Sequence, residues 1–246
     1  IQLRHGLAPS AALASGDLGR SFGTKQPVTD LILAGYLSTV QLALVAFGFA
    51  MAVSIPLGLL SALKQKSGID RGILFFSLFG VSMPNFWLGP LLIILFSLKL
   101  NWLPVSGKEG ASSLILPALT LAVGLSSILI RMIRSSLLEV MGKPFILTAR
   151  AKGIPPWRVI TRHLCPNALI PVITLLGLQF GALLTGSIIT ETIFSWPGLG
   201  RLTITAILSR DYPLVQGCVL VIAVTYLMAS LLADLLYAAA DPRVRY

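Results

Sequence analysis

The sequence predicts an all-α integral membrane protein with five transmembrane helices, and three observations carry that expectation. The chain of 246 residues is 55% hydrophobic and only 11% charged, with a mean hydropathy of +0.87; soluble domains carry about 25% charged residues. Uncharged blocks recur along it, each long enough for a span of about 20 residues. The Lys and Arg residues are gathered in the segments between those blocks. The net charge of +10 therefore reads as membrane topology. No basic face is interleaved with aromatics, so no nucleic acid is expected as a partner.

Residues 1–36 are polar and Gly-rich and are expected to form an extracytoplasmic N-terminal segment, with residues 37–246 as the transmembrane domain. The chain opens on Ile1 and nothing near it resembles a signal peptide, so a truncated N-terminus is expected. Residues 31–63 lack charge and predict a first helix over about 38–60, kinked near Pro56. Lys64, Lys66, Asp70 and Arg71 follow as a short loop. Residues 72–98 are the second uncharged block, with Val81-Ser82-Met83-Pro84-Asn85-Phe86-Trp87 at its centre. Pro84 removes a backbone hydrogen bond, and Ser82 or Asn85 can satisfy the freed carbonyl. Two readings stand there: a broken helix lining a pathway through Ser82, Asn85 and Phe86, with Gln179 from a later span, or a packed kink.

Residues 99–112 form a loop in which Trp102 is placed as an interfacial anchor. A third span is expected over 113–130, with Arg131 and Arg134 marking its exit. Residues 131–171 are the one long polar island, holding seven of the nineteen Lys and Arg residues and a single acid, Glu139. Lys143-Pro144 can open a helix, since proline suits the first turn. Ile146, Ala149 and Gly153 are spaced to share a face. Gly153 suits a left-handed cap, Pro155-Pro156 stops the helix, and a second helical run begins near Trp157. The fourth span is expected over 168–190, where Gly177 and Gly181 permit close approach of another helix, in this chain or in a second subunit. An outer loop over 191–213 and a last span over 214–232, followed by Asp234, complete the set. With the 131–166 loop inside, inner segments hold twelve Lys and Arg residues and outer segments seven, which sets the orientation.

Catalytic constellations are missing from the sequence. There is no GxxxxGK[ST] phosphate loop, so ATP hydrolysis is not expected of this chain. His5 and His163 are too far apart to suggest a metal site, and no cofactor is expected. Cys165 and Cys218 fall at different depths, against a disulfide. Gln41, Asn85, Gln179, Thr190 and Gln216 are the polar groups of otherwise uncharged spans, which suits a carrier powered from elsewhere.

Thr148-Ala149-Arg150-Ala151-Lys152-Gly153, with Pro166 thirteen residues after the glycine, resembles the cytoplasmic "EAA" loop of permease subunits of bacterial ATP-binding-cassette (ABC) importers. The acid that names that motif would stand where Leu147 does. Trp157-Arg158-Val159-Ile160, Arg162-His163 and Asn167-Ala168-Leu169-Ile170-Pro171 are similar to the dipeptide/oligopeptide/nickel branch. So are Gly16-Asp17-Leu18-Gly19-Arg20-Ser21-Phe22, the Ser82–Trp87 string, Glu191-Thr192-Ile193-Phe194-Ser195-Trp196-Pro197-Gly198-Leu199-Gly200-Arg201, Arg210-Asp211-Tyr212-Pro213 and the terminal Asp241-Pro242-Arg243 with Arg245. The resemblance, to the B-type subunit with the N-terminal outer segment, covers nearly the whole chain.

It implies the type I ABC importer permease fold, one more helix ahead of Ile1, and residence in the bacterial cytoplasmic (inner) membrane. The implied partners are a second homologous permease, two ABC ATPase subunits, an extracytoplasmic solute-binding protein and the lipid membrane. The 131–166 loop would couple to the ATPase through Thr148, Ala149, Arg150, Ala151, Lys152, Gly153 and Arg158. Short peptides are the expected substrate, because no histidine or cysteine cluster suits bare nickel. A nickel or metal-chelate importer stands as the alternative, and a self-sufficient channel or secondary carrier as the alternative of a different class.

Overall fold

The computed structural model describes residues 18–240. The expectations placed on His5, Gly16, Asp17 and the terminal 241–246 lie outside those residues. Among the described residues the regular structure is helical, apart from one isolated bridge between Arg20 and Pro27.

Helix α1 spans Val28–Leu63, roughly 54 Å at 1.5 Å per residue and longer than a bilayer core. It starts well before residue 38, so its first turns belong to the stretch read as a loop. It continues through Pro56 as one element. The reason is lateral support. Thr39, Leu42, Ala46, Ala50 and Ser54 are buried along one side, and Gly58 lies so close to Ile133 that a Cβ there would sit 2.8 Å from its side chain.

Helix α2, Gly68–Ser82, starts where the Ser67 hydroxyl accepts the Asp70 amide and ends at Met83, whose ψ of 114° is extended, as expected ahead of a proline. Helix α3, Asn85–Leu92, follows and widens into a π-helical stretch, Ile93–Lys99. The two halves meet at 103°. The helix is therefore interrupted at Met83-Pro84, and its second half packs against its neighbours at a sharp angle to the first. Ser82 Oγ donates to the Leu78 carbonyl at 2.9 Å, so the serine does back-bond at the break.

A short 3₁₀ turn, Ala111–Leu114, leads into α4, Ile115–Met141. This helix continues past Arg131, which is exposed, and Arg134 on it meets Asp70. Helix α5 is Pro144–Ala151. After a turn, Pro156–Arg158, and a π-helical segment, Val159–Leu164, comes α6, Cys165–Gly186. The region read as an outer loop contains α7, Ile188–Ile193, and α8, Leu199–Leu208, before α9, Tyr212–Ala240.

Three helical stretches are long and apolar enough to cross a membrane alone: Val28–Leu63, Ala111–Met141 and Tyr212–Leu235. Two bent pairs, Gly68–Ser82 with Asn85–Lys99 and Pro156–Leu169 with Pro171–Leu184, bring the number among the described residues up to five when each pair is counted as one span. The close-approach glycines of α6 meet their partner within this chain. A Cβ on Gly177 would fall 2.6 Å from Ala233 Cβ, and one on Gly181 2.8 Å from Ala229 Cβ. Small residues on both helices thus bring α6 and α9 together, as van der Waals packing in lipid requires.

Candidate functional site

The 131–166 loop is seated on the largest apolar cluster among the described residues. Lys143 has extended geometry and Pro144 is the first helical residue of α5; its missing N–H falls where no partner was due. Glu139 and Lys143 pair at 3.1 Å across the junction with α4. Ile146 and Ala149 are buried with Leu137, Val140, Val159 and Leu164. Gly153 has φ +72°, the left-handed conformation expected of a cap, and its amide donates to the Arg150 carbonyl at 3.0 Å.

The seven residues singled out in this loop divide accordingly. Ala149 turns inward and packs. Thr148, Arg150, Ala151, Lys152, Gly153 and Arg158 are exposed, as are Phe145, Leu147 and Trp157. The Arg158 guanidinium sits 5.1 Å from the centroid of the Trp157 ring. The outward side of α5 is therefore mixed basic and apolar, firmly backed, and open.

That seat is braced by an ion pair. Arg134 on α4 grips Asp70 with two parallel hydrogen bonds, Nε at 2.7 Å and an Nη at 2.8 Å. Asp70, almost fully buried, also accepts the Ser61 hydroxyl at 2.5 Å and the Lys66 amide at 2.8 Å. Four donors on one carboxylate tie the ends of α1 and α2 to the part of α4 that leads into α5. The sequence showed Asp70 only as one charge in a basic loop.

The residues proposed to line a pathway are split by the fold. Ser82 and Phe86 are exposed and Asn85 is half-buried, on either side of the α2–α3 break. Gln179 is half-buried on α6. Helix α3 packs against α4 and α7, whereas α6 packs against α9, α4 and α1. Of these, α4 is the neighbour that both helices share.

Sequence reasoning missed Glu191. It is fully buried, and its carboxylate accepts Thr39 Oγ1 at 2.7 Å, Ser187 Oγ at 2.7 Å and the Arg201 amide at 3.0 Å. Arg201 is the third residue of α8, so the carboxylate takes up one of the amides that a helix leaves open at its start. Trp196, equally buried, donates Nε1 to the Ser38 carbonyl at 2.9 Å. The signal was present in the spacing of Gly198 and Gly200. A Cβ on Gly198 would run into the Glu191 carboxyl, and one on Gly200 would press on Ile188 at 2.7 Å.

A third buried acid, Asp211, joins the α8–α9 corner to the N-terminal turn. It accepts Ser21 Oγ at 2.5 Å and the Gly23 amide at 3.2 Å. Burial pushes this carboxyl up, but the Ser21 hydroxyl and the amides of Phe22, Gly23 and Leu214 outweigh it and hold it below the ordinary carboxylate range.

Residues 54–246 match the family model described as the inner membrane component of binding-protein-dependent transport systems. The dipeptide transport system permease protein DppB of Escherichia coli (strain K12) is 42% identical over 262 residues, covering 94% of this chain and 77% of the relative. The oligopeptide transport system permease protein AppB of Bacillus subtilis (strain 168) is 42% identical over 245 residues, covering 95% and 78%. The fold is shared with an inward-facing structure of the MetNI methionine ABC transporter, at a TM-score of 0.74 and 17% identity, covering 87% of this chain and 97% of that one. It is also shared with an amino acid ABC transporter solved with histidines, at a TM-score of 0.66 and 20% identity, covering 86% and 94%.

Proposed function

The chain belongs to the family of inner membrane components of binding-protein-dependent transport systems, and we propose that it is the peptide-translocating permease subunit of an ABC importer. It carries di- to oligopeptides inward across the membrane, while separate ATPase subunits hydrolyse ATP. The observation that carries the coupling is the seating of α5. Ile146 and Ala149 fix the helix to the core while Thr148, Arg150, Ala151, Lys152 and Arg158 stay exposed, as a helix must be to transmit force from a partner docked on it. Substrate class is inferred from relatives named for dipeptides and oligopeptides.

In this reading the N-terminal segment faces outward and receives the solute-binding protein, and the 131–166 loop faces the cytoplasm. A second permease subunit and a pair of ATPases complete the assembly. The test is purification and reconstitution. The tagged chain should bring down ATPase subunits, and the complex with its binding protein should take up di- to oligopeptides when ATP is supplied. Uptake of nickel complexes without peptides moves the substrate to the metal-chelate alternative, and uptake without an ATPase moves the protein to the carrier class. Orientation is read separately in intact cells: an impermeant thiol reagent should label Glu109→Cys and leave Lys152→Cys unlabelled.

A further inference from the structure

The loop ahead of α4 returns one cation to the helix bundle. Lys108 Nζ donates to Ser38 Oγ at 3.0 Å and lies 5.3 Å from the centroid of the Trp196 ring. Both contacts are neutral, and among the described residues no ion pair balances this charge. The platform beneath it is rigid, since Trp196 is buried and bonded to the Ser38 carbonyl on the same turn of α1. An ammonium has three donors, and the hydroxyl of Ser38 takes one. The position of the charge is therefore fixed while most of its hydrogen-bonding capacity is open.

Beside it is a cavity of about 420 Å³, within the range of small-molecule sites. Lys108 is part of its wall, together with Gln41, Leu44, Val45, Leu114 and Trp196. Four of those six are apolar, one is an amide and one a cation. That combination suits a small organic anion that carries an apolar group, since the charge fixes one end and Leu44, Val45, Leu114 and Trp196 offer apolar surface to the other.

We propose that this cavity holds the C-terminal residue of a peptide in transit, with Lys108 receiving the α-carboxylate. The Gln41 amide is placed to bond the last peptide group, and the apolar walls take the last side chain. The volume takes the C-terminal residue with room for the peptide group before it. This rests on the peptide reading above and deepens it: the permease itself would recognise a free C-terminus.

The test uses the reconstituted complex without binding protein, carrying Leu44→Cys as a reporter on the cavity wall, with trialanine and trialanine amide as probes. Trialanine should slow maleimide labelling of the cysteine at least fivefold and trialanine amide should not. Adding Lys108→Gln should abolish the protection, and Lys108→Arg should retain it. Equal protection by both probes, or none by trialanine, overturns the proposal. So does slower labelling on replacing phosphatidylcholine by phosphatidylglycerol that trialanine does not relieve, which assigns the cavity to a lipid phosphate. Trialanine uptake by the wild-type complex separates the two levels. Uptake without protection removes this site and leaves the peptide reading intact, whereas a complex that carries no peptide removes the reading itself.

Discussion

Thr39 on α1 donates its hydroxyl hydrogen to Glu191 on α7 at 2.7 Å, across 152 positions of sequence. The same hydroxyl accepts the Leu199 amide at 2.8 Å. One threonine thus joins the first membrane helix to the start of α8, and Glu191 closes the arrangement through Ser187 and Arg201.

Glu191→Ala should therefore be among the most destabilising single changes in the protein. It leaves two hydroxyls and an amide without their acceptor in a buried place, at a cost of about 3 kcal/mol. Glu191→Gln keeps the shape and part of the acceptor capacity and should cost about half as much. Thermal inactivation of the purified complex measures both, and equal midpoints for wild type and Glu191→Ala would remove Glu191 from the structural framework.

Gly153→Val places a β-branched side chain on a residue at φ +72°. The left-handed conformation adds roughly 1–2 kcal/mol of strain there. No atom lies within 4 Å of the added Cβ, so the effect should come from the turn and not from a clash. Membrane insertion should stay normal while peptide uptake per ATP hydrolysed falls severalfold. Unchanged coupling in this variant would separate the turn from energy transfer.

Asp70→Asn removes the partner of Arg134 and should cost about 3–5 kcal/mol, because a guanidinium is left unpaired in a largely buried place. Arg134→Met in the same background should recover most of that loss. Urea or heat denaturation of the four combinations gives the coupling. If the double variant is as unstable as the sum of the singles, the pair does not act as a unit.

Asp211 gives a pH dependence whose sign is set by its lowered carboxyl. A group depressed in the folded state stabilises it at every pH above its unfolded value, and that contribution is lost as pH falls through the folded value. Hydrogen-exchange protection of residues 19–27 should thus be flat from neutral pH down to about 4, the ordinary carboxylate range, and fall below it. In Asp211→Asn the protection should be low throughout. A loss of protection between pH 8 and 6 would place its cause in another group.

The spans and the polar island were legible because hydrophobic length and basic loops are local properties. The Pro144 start and Gly153 cap were legible for the same reason, since each depends on one residue's backbone preference. Glu191 had no signal of its own beyond the small residues Gly198 and Gly200 that make room for its carboxyl. A charged residue between apolar blocks reads as a loop residue, and its burial depends on Thr39, which nothing adjacent to it announces. Arg134 read only as a charge near the end of a span, because its partner Asp70 lies 64 positions away. Pro84 fell between these cases: its missing donor announced a disturbance, but the 103° turn depends on what α3 packs against.

The stretch from Ala111 to Met141 is a single 31-residue rod, roughly 46 Å long, with the Lys108 cavity at one end and the seat of α5 at the other. A rod of that length is a lever with no joint. If it tilts about its middle by about 5°, each tip moves about 2 Å in opposite directions, as follows from its length. A displacement of that size at the α5 tip is matched by an equal one at the other, beside the proposed carboxylate site at Lys108. Closing the engine below and releasing the cargo's end above would then be one movement, with no relay of side chains between them.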